Sequence, residues 1–431
     1  MDWRDYYNQR LVSANEAVKH IKSGDRVVLG HACGEPKLLP SAMVERAEDL
    51  TDVEVVHMVA KGEALYARPE MEGHFRHSGF FAGPTTRQAM AEGRADYIPC
   101  HISEIPGLFA DNILPVDVAM ITVTPPDQFG FCSLGVSVDY TFQAVRAARI
   151  VIAEVNPNMP RTFGRTFLKV EEIDWFVPCE LPIHDQEPAI IGDVEKEIGR
   201  NVASLIEDAA TLQMGIGAIP DAVLTFLTDK NDLGIHTEMF SDGVMPLVKA
   251  GNINCRKKTL HPDKMVATFL MGTKEFYEWV NENPMIELYP EEYVNDPFII
   301  AQNEKMISIN SALQVDVLGQ VVADTLGAFQ FSGVGGQVDF IRGASSSKDG
   351  KSILAFPSTA AKGKISRIVP IIDRGASITT SRNDVQYIIT EYGIAELKGK
   401  TVRERMLALI NIAHPDFREE IKDKAMSIYF K

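Results

Sequence analysis

Residues 211–238 read TLQMGIGAIPDAVLTFLTDKNDLGIHTE, and this stretch decides the fold class. TLQMG is a short apolar strand. Gly215-Ile216-Gly217 is a turn. A helix runs from Pro220 to Leu227, and LGIHT is a second strand. Strand, glycine turn, helix and strand in alternation mean α/β layers. The same alternation extends in both directions. Upstream, RVVLG, VEVVHMV, DYIPC, VDVAMITV and RIVIAEV are apolar runs separated by the helical stretches Ser13–Lys22, 36–49, Thr85–Glu92 and Asp139–Ala148, and a long helix over Val194–Ala210 leads into TLQMG. Downstream come a helix over Asp242–Ala250, then VATFLM, KEFYEWV, MISIN, SILAFP, RIVPII and VQYIIT, and terminal helices over Val402–Ala413 and Phe417–Phe430. Runs that are apolar throughout belong to parallel sheets covered on both faces. The expected architecture is two α/β domains with largely parallel open sheets, over 1–187 and 188–431. The linker is CELPIHDQEPAIIGD, which holds Pro182 and Pro188 among acids.

The chain has 431 residues, 43 Lys+Arg against 59 Asp+Glu, and a net charge of −16. Hydrophobic residues at 45% and charged residues at 24% describe a globular chain with a sizeable core and exclude disorder throughout. The acidic balance argues against a nucleic-acid partner. It leaves room for an anionic small molecule held by backbone amides. No run approaches about 18 apolar residues, so no membrane span is expected. The start, MDWRDYYNQR, is charged and lacks a leader pattern. The five cysteines, Cys33, Cys100, Cys132, Cys179 and Cys255, are scattered and odd in number. They read as free thiols of a cytoplasmic protein.

Four features could carry chemistry. Gly215, Gly217, Ile219 and Pro220 form a bare-backbone turn opening a helix, with Pro220 suited to the first helical position. With Glu238 about 20 residues further on, the turn resembles the start of a dinucleotide fingerprint whose third glycine is Pro220. A nicotinamide-dependent oxidoreductase is therefore one reading, and a plain structural turn another. Glu238 follows an apolar strand at the place where a sheet delivers side chains to its carboxyl-end crevice, or is a solvated loop acid. Gly333, Gly335 and Gly336 concentrate bare backbone in FSGVGGQVDF. That suits an oxyanion hole, a phosphate cradle or a strand crossing. Asn310 ends the strand MISIN, where it can bind a ligand or cap a turn. His74 and His77 form H-x-x-H without a third ligand, so no metal is expected. Serine-hydrolase and P-loop motifs are absent.

Taken together, GIGAIPDAV, GIHTEMFSDG, FSGVGGQVDFIRGA and TTSRNDVQYIITEYGIAELKGKTVRERMLALINIAHPDF resemble the acetyl-CoA hydrolase/transferase family, the class I coenzyme A transferases. AEGRADYIPCHISEIP, TPPDQFGFCSLGVS and AEVNPNMPR carry the likeness through the amino-terminal half. The resemblance implies two α/β domains with the active site between them. It implies CoA transfer between a short-chain acyl-CoA and a carboxylic acid, first 4-hydroxybutyrate with acetyl-CoA and acetate. Butyryl- or propionyl-CoA with acetate, and acetyl-CoA hydrolysis, are the alternatives. It makes Glu238 the nucleophile that forms a glutamyl-CoA thioester, with Gly335 and Gly336 as oxyanion donors. Gly215, Gly217, Ile219, Pro220, Asn310, Ala312 and Gly333 become acyl-CoA-binding positions. No cofactor is bound permanently, coenzyme A and acyl-CoA being substrates. A homodimer or homotetramer is expected. On this likeness the dinucleotide spacing is a near miss.

Overall fold

Each apolar run finds hydrogen-bonding neighbours in one of two separate sheets. The structure, a computed structural model, describes residues 2–430. Two compact units share the chain: residues 2–187 with Val266–Val294, and Pro188–Met265 with the residues from Asn295 onward.

The first unit is built on seven strands: β1 (Arg26–Leu29), β2 (Val53–His57), β3 (Phe75–Gly79), β4 (Ala95–Tyr97), β5 (Val118–Val123), β6 (Ile150–Val155) and β7 (Trp175–Pro178). Their order is β7-β6-β5-β1-β2-β3-β4, and every pairing is parallel. Side chains alternate across it. Val27 and Leu29 enter one apolar cluster and Val28 the opposite one. Both faces are therefore covered, which is why β5 is buried at all six positions. The helix at Ala14–Ala17 starts with the capping box expected of Ser13 and Glu16.

Strand β3 escapes the sequence reading because HFRHSG contains one apolar residue. His74 and His77 belong to this strand region and meet carbonyls: Nδ1 of His74 lies 2.8 Å from Leu50 O, and Nδ1 of His77 lies 3.2 Å from Val55 O. Burial pushes His77 down to about 4, so it sits in the sheet as a neutral ring. Among the described residues no group of three His, Cys, Asp or Glu could hold a metal ion.

The second unit holds β8 (Thr211–Met214), β9 (Gly234–Ile235), β10 (Met306–Asn310), β11 (Lys351–Ala355), β12 (Tyr387–Thr390) and β13 (Gly393–Glu396), in the order β9-β8-β10-β11-β12-β13. All pairings are parallel except β12 with β13. The helices Asp193–Ala203 and Ala218–Thr225 pack closely because Gly199 has no Cβ to meet the backbone of Ala222. The helix Gln337–Ser346 lies between β10 and β11 in the chain, and Val402–Ile412 and Arg418–Tyr429 add to the apolar cluster around Val315, Leu354 and Ile388.

The two α/β units with largely parallel sheets agree with the sequence reading. The second is not continuous as expected, because residues 266–294 return to the first. The backbone bonds of that segment explain the return. Thr268 O accepts from the amides of Val138 and Asp139, Leu270 N donates to Val136 O, and Ile286–Leu288 pairs in parallel with Phe163–Gly164. The five cysteines are free. Among the described residues no helix is long and apolar enough to cross a membrane.

Candidate active site

In the second unit the chain leaves β8 toward β9 on one side and later returns as β10 on the other. The gap between β8 and β10 is thus a topological switch point, where ligands of open α/β sheets bind beyond the strands' carboxyl ends. A cleft of about 330 Å³ opens there. It is lined by the Gly215–Pro220 turn, by Ile309, Asn310 and Ser311 at the end of β10, and by Ala355 at the end of β11. Gly217 has φ of +116°, a backbone that side-chain-bearing residues rarely adopt. No heavy atom stands within 4 Å of where a Cβ would project from Gly215 or Gly217, so bare backbone faces open space. Gly217 caps the helix Ala218–Thr225 without a side-chain acceptor. Its first amides are available to an anion or carbonyl. The helix begins at Ala218, so Pro220 is its third residue rather than its first. It still lies in the turn whose amides lack helical partners.

Asn310 is braced rather than loose. Its Nδ2 donates to Gln213 Oε1 at 3.1 Å, and the same oxygen accepts from Ile309 N at 3.1 Å. Ala312 does not join the cleft. It is buried in the apolar cluster with Val315 and Leu354, and its carbonyl accepts from Arg367 Nη1 at 3.0 Å.

Glu238 is presented by a short extended segment. His236 N donates to Leu212 O, continuing the pairing of β9 with β8. Thr237 is buried, and its hydroxyl bonds Met214 O at 3.0 Å and Met239 O at 2.9 Å. Thr237 thereby ties the Glu238 segment to the residue preceding Gly215. Alternation then turns Glu238 to the opposite side, where it is half-buried.

What it meets is Asn295 and Gly336. Asn295 Nδ2 donates to Glu238 Oε2 at 3.1 Å. A Cβ on Gly336 would overlap both Glu238 Oε2 and Asn295 Nδ2, and would lie 3.3 Å from Glu238 Cδ. Gly336 is the cap of the helix Gln337–Ser346, again without a side-chain acceptor. Gly335 before it has φ of +57°, and Gly333 is buried. The glycine turn thus lets a carboxylate sit against a helix N-terminus, where negative charge is favoured. Sequence reasoning missed Asn295. The acid it holds is 57 residues away in the chain, and VNDPF carries only a turn signal, which Asp296 fulfils by accepting from Phe298 N at 2.8 Å.

Residues 1–188 match the acetyl-CoA hydrolase/transferase N-terminal domain, and residues 272–425 match the C-terminal domain of the same family. The chain belongs to the acetyl-CoA hydrolase/transferase family. It is 57% identical over 424 residues to the 4-hydroxybutyrate coenzyme A transferase of Clostridium kluyveri, across 98% of this chain and 99% of that one. It is 42% identical to the succinyl-CoA:cyclohexane-1-carboxylate CoA transferase of Geobacter metallireducens, across 97% and 95%. The solved 4-hydroxybutyrate CoA-transferase of Porphyromonas gingivalis superposes with a TM-score of 0.87 at 44% identity, covering 99% of this chain and 100% of that one. Membership of the acetyl-CoA hydrolase/transferase family fits a site built from a carboxylate, a glycine turn and a switch-point cleft.

Proposed function

We propose that the protein transfers coenzyme A between acetyl-CoA and 4-hydroxybutyrate, with Glu238 as the covalent nucleophile. One observation carries this reading: the Glu238 carboxylate, held by Asn295, lies against the bare backbone of Gly336 at a helix N-terminus.

A Glu238 oxygen attacks the thioester carbonyl carbon. The C–S bond breaks, CoA leaves as thiolate, and an acyl-glutamyl anhydride remains. The thiolate then attacks the glutamyl carbonyl and expels the acyl group as a free carboxylate, leaving a glutamyl-CoA thioester. An incoming carboxylate attacks that thioester and releases thiolate again. Thiolate attack on the new acyl carbonyl forms the new acyl-CoA and restores Glu238. This is covalent catalysis by a carboxylate. Each attack places negative charge on a carbonyl oxygen, which needs preorganised N–H donors. The amides of Gly335 and Gly336 supply them in this reading. The cleft formed by Gly215, Gly217, Ile219, Pro220 and Asn310 takes part of the coenzyme A.

The identities of 57% and 44% to proteins named for 4-hydroxybutyrate support that acid over others. The family resemblance supports a cytoplasmic homo-oligomer, a dimer or tetramer. The test is a matrix of acetyl-, 4-hydroxybutyryl-, butyryl- and propionyl-CoA against the free acids, with water as control. Highest kcat/KM for the 4-hydroxybutyrate–acetate pair is expected. Thiol release that needs no acid acceptor assigns hydrolysis instead, and preference for butyrate or propionate reassigns the acyl group.

A further inference from the structure

At the other edge of the second unit's sheet lies a cleft that the proposed reaction does not use. It has a volume of about 300 Å³. Its lining comes from the residues just before β12, from the end of the helix Gln337–Ser346, and from Lys398 and Gly399 just after β13. Parallel strands put these residues at the amino ends of β11 and β12. The Gly215 cleft lies at the carboxyl ends. The helix Gln337–Ser346, capped by Gly336 beside Glu238, brings its last residues Ser345 and Ser346 to this cleft, roughly 15 Å along the helix from that cap.

The charge of this cleft runs against that of the chain. On a protein of net charge −16, it brings together Arg342, Lys398 and Arg405, with Asp384 the one acid in its lining. Asp384 stands 3.4 Å from Arg342 Nη2. Neither Arg405 nor Lys398 has a carboxylate within ion-pair distance among the described residues. Arg405 is also fixed in place. Its Nη1 donates to Arg382 O at 2.7 Å and Leu318 O at 3.4 Å. Burial, together with the like charge of Arg382, pushes its guanidinium below its ordinary value. A held guanidinium beside another cation, with no acid to balance it, is an electrostatic cost that a bound anion removes. Asn383 and Ser346 add hydrogen-bonding groups to the same lining.

We propose that this cleft is a binding site for a small phosphorylated anion, a phosphate monoester or a diphosphate. Three cations against one acid leave a surplus of two positive charges. This matches a dianionic phosphate, and the guanidinium forks offer paired donors to its oxygens. The volume exceeds what one phosphate fills and accommodates a diphosphate or the phosphorylated end of a nucleotide.

The test titrates the full-length enzyme with inorganic pyrophosphate by calorimetry, without coenzyme A, whose own diphosphate would compete, and variants of this cleft assign the binding to it rather than to the Gly215 cleft. Parallel arms use inorganic phosphate and ADP. Arg342→Ala and Lys398→Ala are the variants, since both side chains lie at the surface. Saturable binding of one pyrophosphate per chain is expected. Each variant should weaken it by about tenfold or more, the scale of a lost charge-assisted bond. Binding should also fall steeply with added salt. Transfer kcat/KM of both variants should stay within about twofold of the unmutated enzyme. Tighter binding of ADP than of pyrophosphate identifies a nucleotide, and equal binding identifies the diphosphate alone. Absence of saturable binding, or equal affinity in the variants and the unmutated protein, overturns the proposal and leaves a solvated basic face.

Discussion

Alanine at position 336 is the most instructive single change in the site. The backbone at Gly336, with φ of −90° and ψ of 7°, is one alanine adopts without strain. Alanine also keeps the amide, so no oxyanion donor is deleted. What the methyl group does is collide with Glu238 Oε2 and Asn295 Nδ2. Ordinary contact between carbon and oxygen starts near 3.4 Å, so the carboxylate must retreat by roughly 1 Å, a displacement able to cost about a hundredfold in rate. Gly335→Ala is the matched control. Its φ of +57° strains alanine, but nothing lies within 4 Å of the added methyl. That strain costs about 1 kcal/mol of stability. Gly336→Ala should therefore lose about two decades of kcat while melting close to the unmutated protein. Gly335→Ala should melt lower and turn over nearly normally. Melting curves and initial rates on folded enzyme separate the two. Near-normal turnover by Gly336→Ala would refute the placement of Glu238 as the reacting group. Inactivation that only follows loss of folded protein would refute it equally.

Further outcomes follow from the same geometry. Glu238→Asp withdraws the carboxylate by about 1.5 Å and should lose about a hundredfold in kcat, while Glu238→Gln, checked by mass for deamidation, should be nearly inactive yet folded. Asn295→Ala removes a bond to a charged group worth about 1.5–3 kcal/mol, so single-turnover rates should drop at least about tenfold. Glu35 is buried after β1, where its Oε2 accepts from the amides of Lys61 and Gly62 at 2.6 and 2.9 Å. Burial nevertheless raises it from 4.5 to about 7. A carboxyl raised on folding contributes stability below about 4.5 that is lost as pH rises through about 7, an effect of about 3 kcal/mol here. The unmutated protein should lose melting temperature relative to Glu35→Gln between about pH 5 and pH 8, and a gap independent of pH would contradict this.

The parts of the fold legible in the sequence are those where the physics is local. Val118–Val123 reads as a buried strand because all six residues lie between two covered faces. The Gly215–Gly217 stretch reads as a bare-backbone turn opening a helix, and Gly217 takes a φ of +116° that few other residues tolerate. Phe75–Gly79 was illegible because Phe75 is its one large apolar residue, the other buried positions being His77, Ser78 and Gly79. The return of residues 266–294 was illegible because VATFLM reads the same whichever sheet supplies its partners. At the site, Glu238 and the glycines at 335 and 336 were visible as an acid and as bare backbone. Their mutual contact and Asn295 belong to tertiary structure. Ala312, carried into the site by resemblance, is a core residue of the neighbouring apolar cluster.

The central claim is that Glu238 itself carries coenzyme A during turnover. The enzyme is incubated with acetyl-CoA in the absence of an added acid and digested under mildly acidic conditions, and its peptides are mapped by mass. The peptide containing Glu238 should gain coenzyme A with loss of water. Borohydride should then reduce the thioester at that residue and inactivate the enzyme irreversibly, and Glu238→Gln should show no adduct in either step. Cys255 is fully buried, with its thiol pushed up by that burial, and it should remain unmodified. Coenzyme A found on Cys255, or no adduct at Glu238 while exchange proceeds at full rate, would contradict the account.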